Sequence, residues 1–229
     1  YTTTKPCQIN KDFAGAKFNF LAANVSLKAD PKRTLFPAYK IKRYGNIPVA
    51  FIGLTLEATP TIVSAAGIKD VDFHDEAETV NSLIPELKKQ GVEAIVVVVH
   101  EGVAPSTKFN AKTCAGLSGP LTGILDRLDT AVDVVVSGHT HQSYICDYST
   151  LNPQKPFLLT SAGQYGTAIT NIKLELDGKT GDVIKKDAQQ VPIQSEAYTS
   201  GTTTVNLTNL YEKFNKTPSI EAILDKYRQ

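Results

Sequence analysis

An α/β fold is predicted for this 229-residue chain by three features of its sequence. Short β-branched runs alternate with segments of helical period. The two clearest runs end directly at histidine-bearing turns. The last long run comes close to alternation and leads into a hairpin signal, so the sheets are mixed and turn antiparallel toward the C-terminal side.

Residues 1–19 are polar, carry Thr2-Thr3-Thr4, Pro6 and Gly15, and read as a loop. Apolar runs follow at residues 20–25, 49–54, 94–99, 132–136 and 157–160. Unbroken runs of this length between turn residues are strands buried on both faces. In residues 169–176, Ile169, Ile172, Leu174 and Leu176 approach alternation, so that strand has one wet face. Residues 177–182, with Gly178 and Gly181, form the hairpin turn after it.

A helix is expected over residues 75–90. Asp75 and Glu78 make a capping pattern, and Val80, Leu83, Ile84 and Leu87 recur at helical spacing. Lys88 and Lys89 suit its last turn, and Gly91 ends it. A second helix is expected over residues 118–128, with Ser118 as cap, Pro120 in the first turn, and Leu121, Ile124, Leu125 and Leu128 on one face. A third is expected over residues 219–226, after a Thr/Ser/Asn-rich stretch at 199–208 that reads as a linker. The boundaries expected are therefore an N-terminal loop (1–19), a main domain (20–195) and a linker with the start of a helix (196–229).

Composition narrows the function classes. Lys and Arg number 24 against 23 Asp and Glu, for a net charge of +1. Such a chain has no electrostatic bias toward a nucleic-acid polymer or an anionic membrane. Apolar residues are 41% and charged residues 21%, a globular balance that excludes a mainly disordered chain. No apolar run approaches the roughly 18 residues of a membrane span. There is no Met, which suggests a processed protein or a fragment.

The chemistry is concentrated in four histidines, His74, His100, His139 and His141. His100 follows the 94–99 run, and His139 and His141 follow the 132–136 run. In open α/β sheets ligands bind at the carboxyl ends of strands. His139-Thr140-His141 is an H-x-H pair, and on extended backbone residues i and i+2 project to one side. Neutral imidazoles so placed suit zinc, manganese or iron. Gly138 permits a tight turn that presents His139. The bland alternative for any single strand-end His is a hydrogen-bonded surface or core residue. His74, beside Asp72 and Asp75, reads as surface or capping. Glu101 reads either as an exposed acid or as support behind His100. Asp126, Asp129 and Asp133 read as solvated. No dinucleotide-binding, phosphate-loop or nucleophile-elbow motif occurs.

Three Cys, at 7, 114 and 146, are too few for a disulfide framework, and their spacings match no zinc ribbon or C-x-x-C motif. One disulfide and one leftover is the simplest oxidised reading. A Cys114–Cys146 bridge would pin the loop carrying Cys114 beside the H-x-H strand and stabilise by roughly 3–4 kcal/mol. Two independent buried thiols are the alternative, and Cys7 has no assigned partner.

The stretches Val98-Val99-His100-Glu101-Gly102 and Asp133-Val134-Val135-Val136-Ser137-Gly138-His139-Thr140-His141-Gln142 resemble the last two motifs of the calcineurin-like metallophosphoesterases. Phe20-Leu21-Ala22-Ala23-Asn24-Val25, Ile52-Gly53-Leu54-Thr55 and Ser161-Ala162-Gly163-Gln164-Tyr165-Gly166 resemble the secreted 5′-nucleotidase/2′,3′-cyclic phosphodiesterase branch. The likeness runs from about residue 17 to residue 193. It implies a four-layer α-β-β-α sandwich with mixed sheets and two divalent metal ions sharing a bridging water. Zinc or manganese is expected, with magnesium as an option. It makes His100 and His139 ligands of one ion and His141 a ligand of the other, with Glu101 and Gly138 behind them. It also implies a nucleotide or other small phosphoester as substrate, and a periplasmic, secreted or cell-surface location. The family's Asp-x-His, Gly-Asp-x-x-Asp and Gly-Asn-His-Glu motifs lie on its N-terminal side, and no Asp-x-His of that kind is read here. Here Asn-His does not occur, and Gly-Asp occurs only at Gly181-Asp182. The resemblance therefore implies that an N-terminal segment and a C-terminal nucleotide-binding domain complete the enzyme. No catalytic residue beyond the metal ligands is expected in this chain.

Three readings stay open at this level. One is a phosphoester hydrolase completed by further sequence, and a second is a non-catalytic binding or cell-surface module on the same scaffold. The third is a lone zinc held by His100, His139 and His141, which requires all three to converge. If strands are missing, apolar sheet surface is expected to stay open and to favour self-association.

Overall fold

In a computed structural model, residues 17–106, 111–200 and 202–228 are described. Cys7 and most of the expected N-terminal loop lie outside the described residues. The chain divides into two compact units, residues 20–192 and residues 1–19 with 193–229.

The larger unit is built on a six-stranded sheet. Its strands are β3 (Tyr39–Tyr44), β4 (Ile47–Leu54), β6 (Ala94–Val99), β7 (Val134–Val136), β9 (Leu158–Ala162) and β8 (Ser143–Asp147), in the order β3-β4-β6-β7-β9-β8. β4, β6, β7 and β9 run parallel, and the edge strands β3 and β8 pair antiparallel. A three-stranded sheet joins β2 (Asp30–Thr34), β1 (Val25–Leu27) and β5 (Val71–Phe73). A long hairpin pairs β10 (Ala168–Leu176) with β11 (Val183–Pro192).

Period-two alternation divides each central strand between two apolar layers. Ile95, Val97 and Val99 of β6 join Ile52 and Leu54 of β4 in the layer under α2 (Glu76–Lys89) and α3 (Leu121–Arg127). Those helices contribute Ala77, Val80, Ile84, Leu87, Leu121, Ile124 and Leu125. Ala94, Val96, Val49 and Val134 face the other way, against Ile172, Leu174 and Leu176 of the hairpin. The unit thus shows helices, sheet and hairpin, three of the four layers implied by the resemblance. β10 alternates between half-buried and exposed residues along its length, so it has one wet face.

Most elements follow the apolar pattern, and the departures have physical causes. Residues 20–24 are loop rather than strand. The Ala22 and Ala23 amides donate to Pro37 O and Gly53 O, and the buried Asn24 side chain donates to Thr55 O and His74 O and accepts from Thr55 N. Ser118 is not a cap: its hydroxyl donates to Ala104 O, and α3 begins after Pro120 with no side-chain cap. α2 does begin as expected, with the Asp75 side chain accepting from Glu78 N at 2.8 Å. Asp126, Asp129 and Asp133 are bonded rather than merely solvated. They accept from the Tyr148 hydroxyl, Ala131 N and Ile95 N. β2 and β3 are too polar in sequence to stand out, and β5, β8 and the one-turn helix α1 (Ala65–Ile68) are too short.

The smaller unit holds a short hairpin, β12 (Tyr198–Ser200) with β13 (Thr203–Val205), inside the stretch read as a linker, and the helix α4 (Pro218–Leu224). Gln194 ties it together through bonds to Thr208 and Tyr211.

Cys114 and Cys146 form a disulfide with a Cα–Cα separation of 4.9 Å. It joins the loop before α3 to β8 across 32 residues of sequence. By chain entropy such a closure contributes about 3–4 kcal/mol. A Cys114→Ser, Cys146→Ser variant is expected to melt about 10 °C lower by calorimetry; an unchanged midpoint would show that the bridge does not constrain the unfolded chain.

Asp75 also binds Arg127 of α3 at 2.7 Å, and that guanidinium holds its carboxyl below the usual carboxylate range. A lowered folded-state pKa contributes stability above the unfolded value of about 4 and loses it as pH falls through the folded value. Asp75→Ala is expected to cost about 1–2 kcal/mol at neutral pH, mostly as the lost cap. Denaturant titrations should show the gap narrowing below about pH 4; a gap independent of pH would exclude the charged contribution.

Candidate metal centre

β6 and β7 are adjacent and parallel, with Val98 opposite Val136. Their carboxyl ends therefore open at the same edge of the sheet. His100 leaves β6 there, its amide donating to Leu54 O at 3.1 Å. The chain after β7 is bonded to both neighbours. Ser137 N donates to Thr160 O, and Gly138 N donates to Glu101 O at 3.1 Å.

His139 Nδ1 lies 3.3 Å from His100 Nε2, with the ring centroids 5.0 Å apart. Two histidines 39 residues apart thus meet nitrogen to nitrogen. Burial pushes the His100 imidazole below its ordinary pKa, and charge on His139 and His141 would push it the same way, partly offset by Glu101. His100 is therefore neutral at physiological pH, the form that donates a lone pair to a metal.

The extended H-x-H geometry is corrected. β7 stops at Val136, and His139 and His141 both take left-handed backbone, at φ 63° and 59°. Thr140 N donates to Gly138 O at 2.7 Å, closing a three-residue turn around His139. His139 turns to His100, whereas the His141 ring sits 5.9 Å from the ring of Tyr165. Tyr165, at φ 56°, is the third non-glycine residue with positive φ among the described residues. All three lie in the two loops at this one edge, and such strain, of order 1–3 kcal/mol per residue, collects at functional sites.

The three histidines do not converge on one point. Among the described residues, the only group of three or more His, Cys, Asp or Glu side chains with ligand atoms within 4.8 Å of one another is Glu57, Asp75 and Glu76. The lone three-histidine zinc is thereby disfavoured. That acidic group is occupied with structural work: Glu76 accepts from Glu57 N, and Asp75 caps α2 and binds Arg127. Glu57 and Glu76, with Glu101 and Arg127, line a cavity of about 280 Å³.

Glu101 is buried, not exposed, and its Oε1 accepts from Gly102 N at 2.9 Å. Gly102 has no room for a side chain: a Cβ there would stand 2.2 Å from Gly138 O and 2.5 Å from Thr140 Oγ1. The two histidine loops pass in direct contact at that point. His74, exposed, accepts or donates at 2.7 Å with the Ser26 hydroxyl and stands apart from the other three. The reading that no Asp-x-His occurs is corrected: Asp72-Phe73-His74 has that spacing, on and after β5 of the small sheet, with Asp72 near Lys28. Sequence reading missed Tyr165 as a neighbour of His141. Its signals are a tyrosine between Gly163 and Gly166 in a turn and its place in the 161–166 stretch that carries the resemblance.

No protein-family model matches the chain. It is 35% identical over 179 residues to "Endonuclease YhcR" of Bacillus subtilis (strain 168), covering 78% of this chain and 14% of that protein. It is 35% identical over 130 residues to a 5′-nucleotidase of Vibrio cholerae, covering 56% and 22%. It is 25% identical over 185 residues to a 2′,3′-cyclic-nucleotide 2′-phosphodiesterase/3′-nucleotidase of Yersinia enterocolitica, covering 76% and 26%. The chain spans about a seventh to a quarter of the length of these curated relatives. Among solved structures it resembles the calcineurin-like phosphoesterase YfkN of Bacillus subtilis, with a TM-score of 0.61 at 18% identity over 93% of this chain and 63% of that one. It also resembles a 5′-nucleotidase precursor of Thermus thermophilus, with a TM-score of 0.57 at 24% identity over 77% and 34%. The chain is thus similar in sequence to 5′-nucleotidases and to a 2′,3′-cyclic-nucleotide phosphodiesterase, and it shares the fold of a calcineurin-like phosphoesterase.

Proposed function

We propose that this chain supplies the histidine side of a two-metal centre in a phosphoester hydrolase acting on nucleoside 5′-monophosphates or related nucleotides. The observation that carries the reading is the meeting of His100 Nε2 and His139 Nδ1 at 3.3 Å on adjacent strand ends. Two nitrogens bound tetrahedrally to one zinc at 2.0–2.1 Å stand about 3.3 Å apart, so the separation of the donor pair is that of two ligands of one ion. His100 and His139 would hold one ion, and His141, turned away from them, the other. Bound divalent ions lower the pKa of a shared water, supply the nucleophile and hold the phosphate oxygens. Gly102 lets the two loops pass at contact distance, and the Glu101 carboxylate closes the base of the His100 loop by accepting from the Gly102 amide. Zinc and manganese are the ions best suited to imidazole, with magnesium favoured only if the remaining ligands are carboxylates.

We infer that those remaining ligands come from sequence outside these residues. The hairpin face of the sheet supports this. Val98, one residue before the end of β6, is 41% exposed. A cleft of about 660 Å³ lies between the sheet and β10, walled by Val96, Val134, Val136, Ile172 and Leu174. Parallel sheets are covered on both faces, so further strands laid here would bury that surface and bring side chains beside His100. The disulfide supports a location outside the cytoplasm. No helix among the described residues is long and apolar enough to cross a membrane.

A second reading, cleavage of phosphodiesters in a nucleic acid, is favoured by the likeness to a relative named an endonuclease. Hydrolysis assays on AMP, a 2′,3′-cyclic nucleotide and single-stranded DNA separate the two by which substrate turns over.

This chain by itself is expected to hold no more than one zinc or manganese ion, measured by elemental mass spectrometry. Two tightly held ions would contradict the inference of missing ligands. In a form of the protein that hydrolyses AMP, His139→Ala is expected to lower that activity more than about 100-fold. Unchanged turnover would sink the assignment of His139 as a ligand.

A further inference from the structure

We propose that Tyr144 is the positioning residue that holds the two histidine loops in register, through a buried hydroxyl that bridges them. The proposal rests on the metal reading of His100 and His139 and adds the group that sets their separation. Tyr144 is a β8 residue, 2% exposed, and no contact to either histidine ring gives it away. Its hydroxyl lies 2.6 Å from Ser137 Oγ, two residues before His139. It also accepts from Val103 N at 3.3 Å, three residues after His100.

The protons can be assigned. Ser137 Oγ donates to Thr160 O at 2.8 Å, so its own hydrogen is used. The Tyr144 O–H therefore donates to Ser137 Oγ, and its lone pair receives the Val103 N–H. Burial pushes the Tyr144 pKa upward, so the hydroxyl keeps its proton across the working range. Every donor in the chain Val103 N–H, Tyr144 O–H, Ser137 O–H has one acceptor, and the chain ends on the carbonyl of β9. A buried network satisfied in this way has one low-energy arrangement.

The ring also has no freedom to shift the hydroxyl. The Tyr144 backbone pairs with Ser161 across β8 and β9, and Gln190 of the hairpin donates to Tyr144 O and to Ser161 O. Two other links between the loops, Gly138 N to Glu101 O and Thr140 Oγ1 to Val103 O at 2.8 Å, converge on the same two segments. Of these, only the tyrosine bridge is anchored in the sheet rather than in the loops themselves. It is therefore the contact that refers both histidines to the rigid strands.

The test compares Tyr144→Phe with Tyr148→Phe. Tyr148 is also buried, at 4% exposed, and also loses a hydroxyl bond, to Asp126 at 2.7 Å, but not one to a histidine loop. Zinc affinity by competition with a chromogenic chelator is expected to fall about 10–100-fold for Tyr144→Phe and to stay unchanged for Tyr148→Phe. In the metal-free protein, the imidazole NMR resonances of His100 and His139 should move in the first variant and not in the second. Equal zinc affinities for the two variants, or unmoved imidazole resonances in a folded Tyr144→Phe, would overturn the assignment. If the wild-type chain alone binds zinc too weakly to compare, the imidazole resonances decide the bridge. If Tyr144→Phe does not fold, Ser137→Ala, which removes the acceptor of the same hydroxyl, is expected to give the same pattern. Its failure to do so would count equally against the proposal.

Discussion

The parallel pairing of β6 with β7 in the middle of a sheet packed by helices on one face and by the hairpin on part of the other is the constraint on which the site depends. Val96, Val97 and Val98 pair with Val134, Val135 and Val136. Ile95, Val97, Val99 and Val135 lie under the helices, and Val96 and Val134 under the hairpin. A shift of one residue would exchange these faces and put each strand's packing out of place. The register is thus held by burial on two sides, and it delivers His100 and the Ser137–His141 turn to one edge. A histidine pair 3.3 Å apart follows from strand packing rather than from any local preference of the histidines.

What happens past the strand ends is decided by polar contacts. Both His139 and His141 sit in left-handed backbone that non-glycine residues adopt at a cost. The turn is held against that cost by Gly138 N on Glu101 O, Thr140 Oγ1 on Val103 O, and the Ser161 hydroxyl and Gly163 amide on Gln142 O. These bonds reach β9, the loop after it and the loop after β6. The turn is consequently an extension of the sheet, and its histidines are presented by a rigid support, as a metal centre requires. The disulfide from Cys114 to Cys146 stiffens the neighbouring β8 from the other side.

The acidic residues show how side-chain type alone misleads. Glu57, Asp75 and Glu76 look like a ligand set by proximity, yet Asp75 and Glu76 serve the start of α2 and its contact with α3. Glu101, which next to a histidine reads as an exposed acid, is buried and folded back on the amide of Gly102. His74, in an Asp-x-His spacing, is spent on Ser26. In each case the partner is distant in sequence or is backbone, and neither is visible in the residue pattern.

Legible in the residue pattern are the elements whose signal is carried by many apolar residues: the Ala94–Val99 and 132–136 runs, the helix capped by Asp75, the 169–176 strand and its turn. The same pattern shows that His100, His139 and His141 stand at strand ends, because an unbroken β-branched run stops in plain view. Burial energy sums along such runs, so the pattern survives whatever surrounds it. Tertiary structure alone decided the rest. The Phe20–Asn24 stretch became a loop because its polar groups found Gly53, Thr55 and His74. Ser118 gave its hydroxyl to Ala104 instead of capping a helix. The H-x-H pair turned its two rings apart because its backbone follows bonds to other strands. Single polar contacts of about 1 kcal/mol decide such local choices, and their partners are known only once the chain has folded.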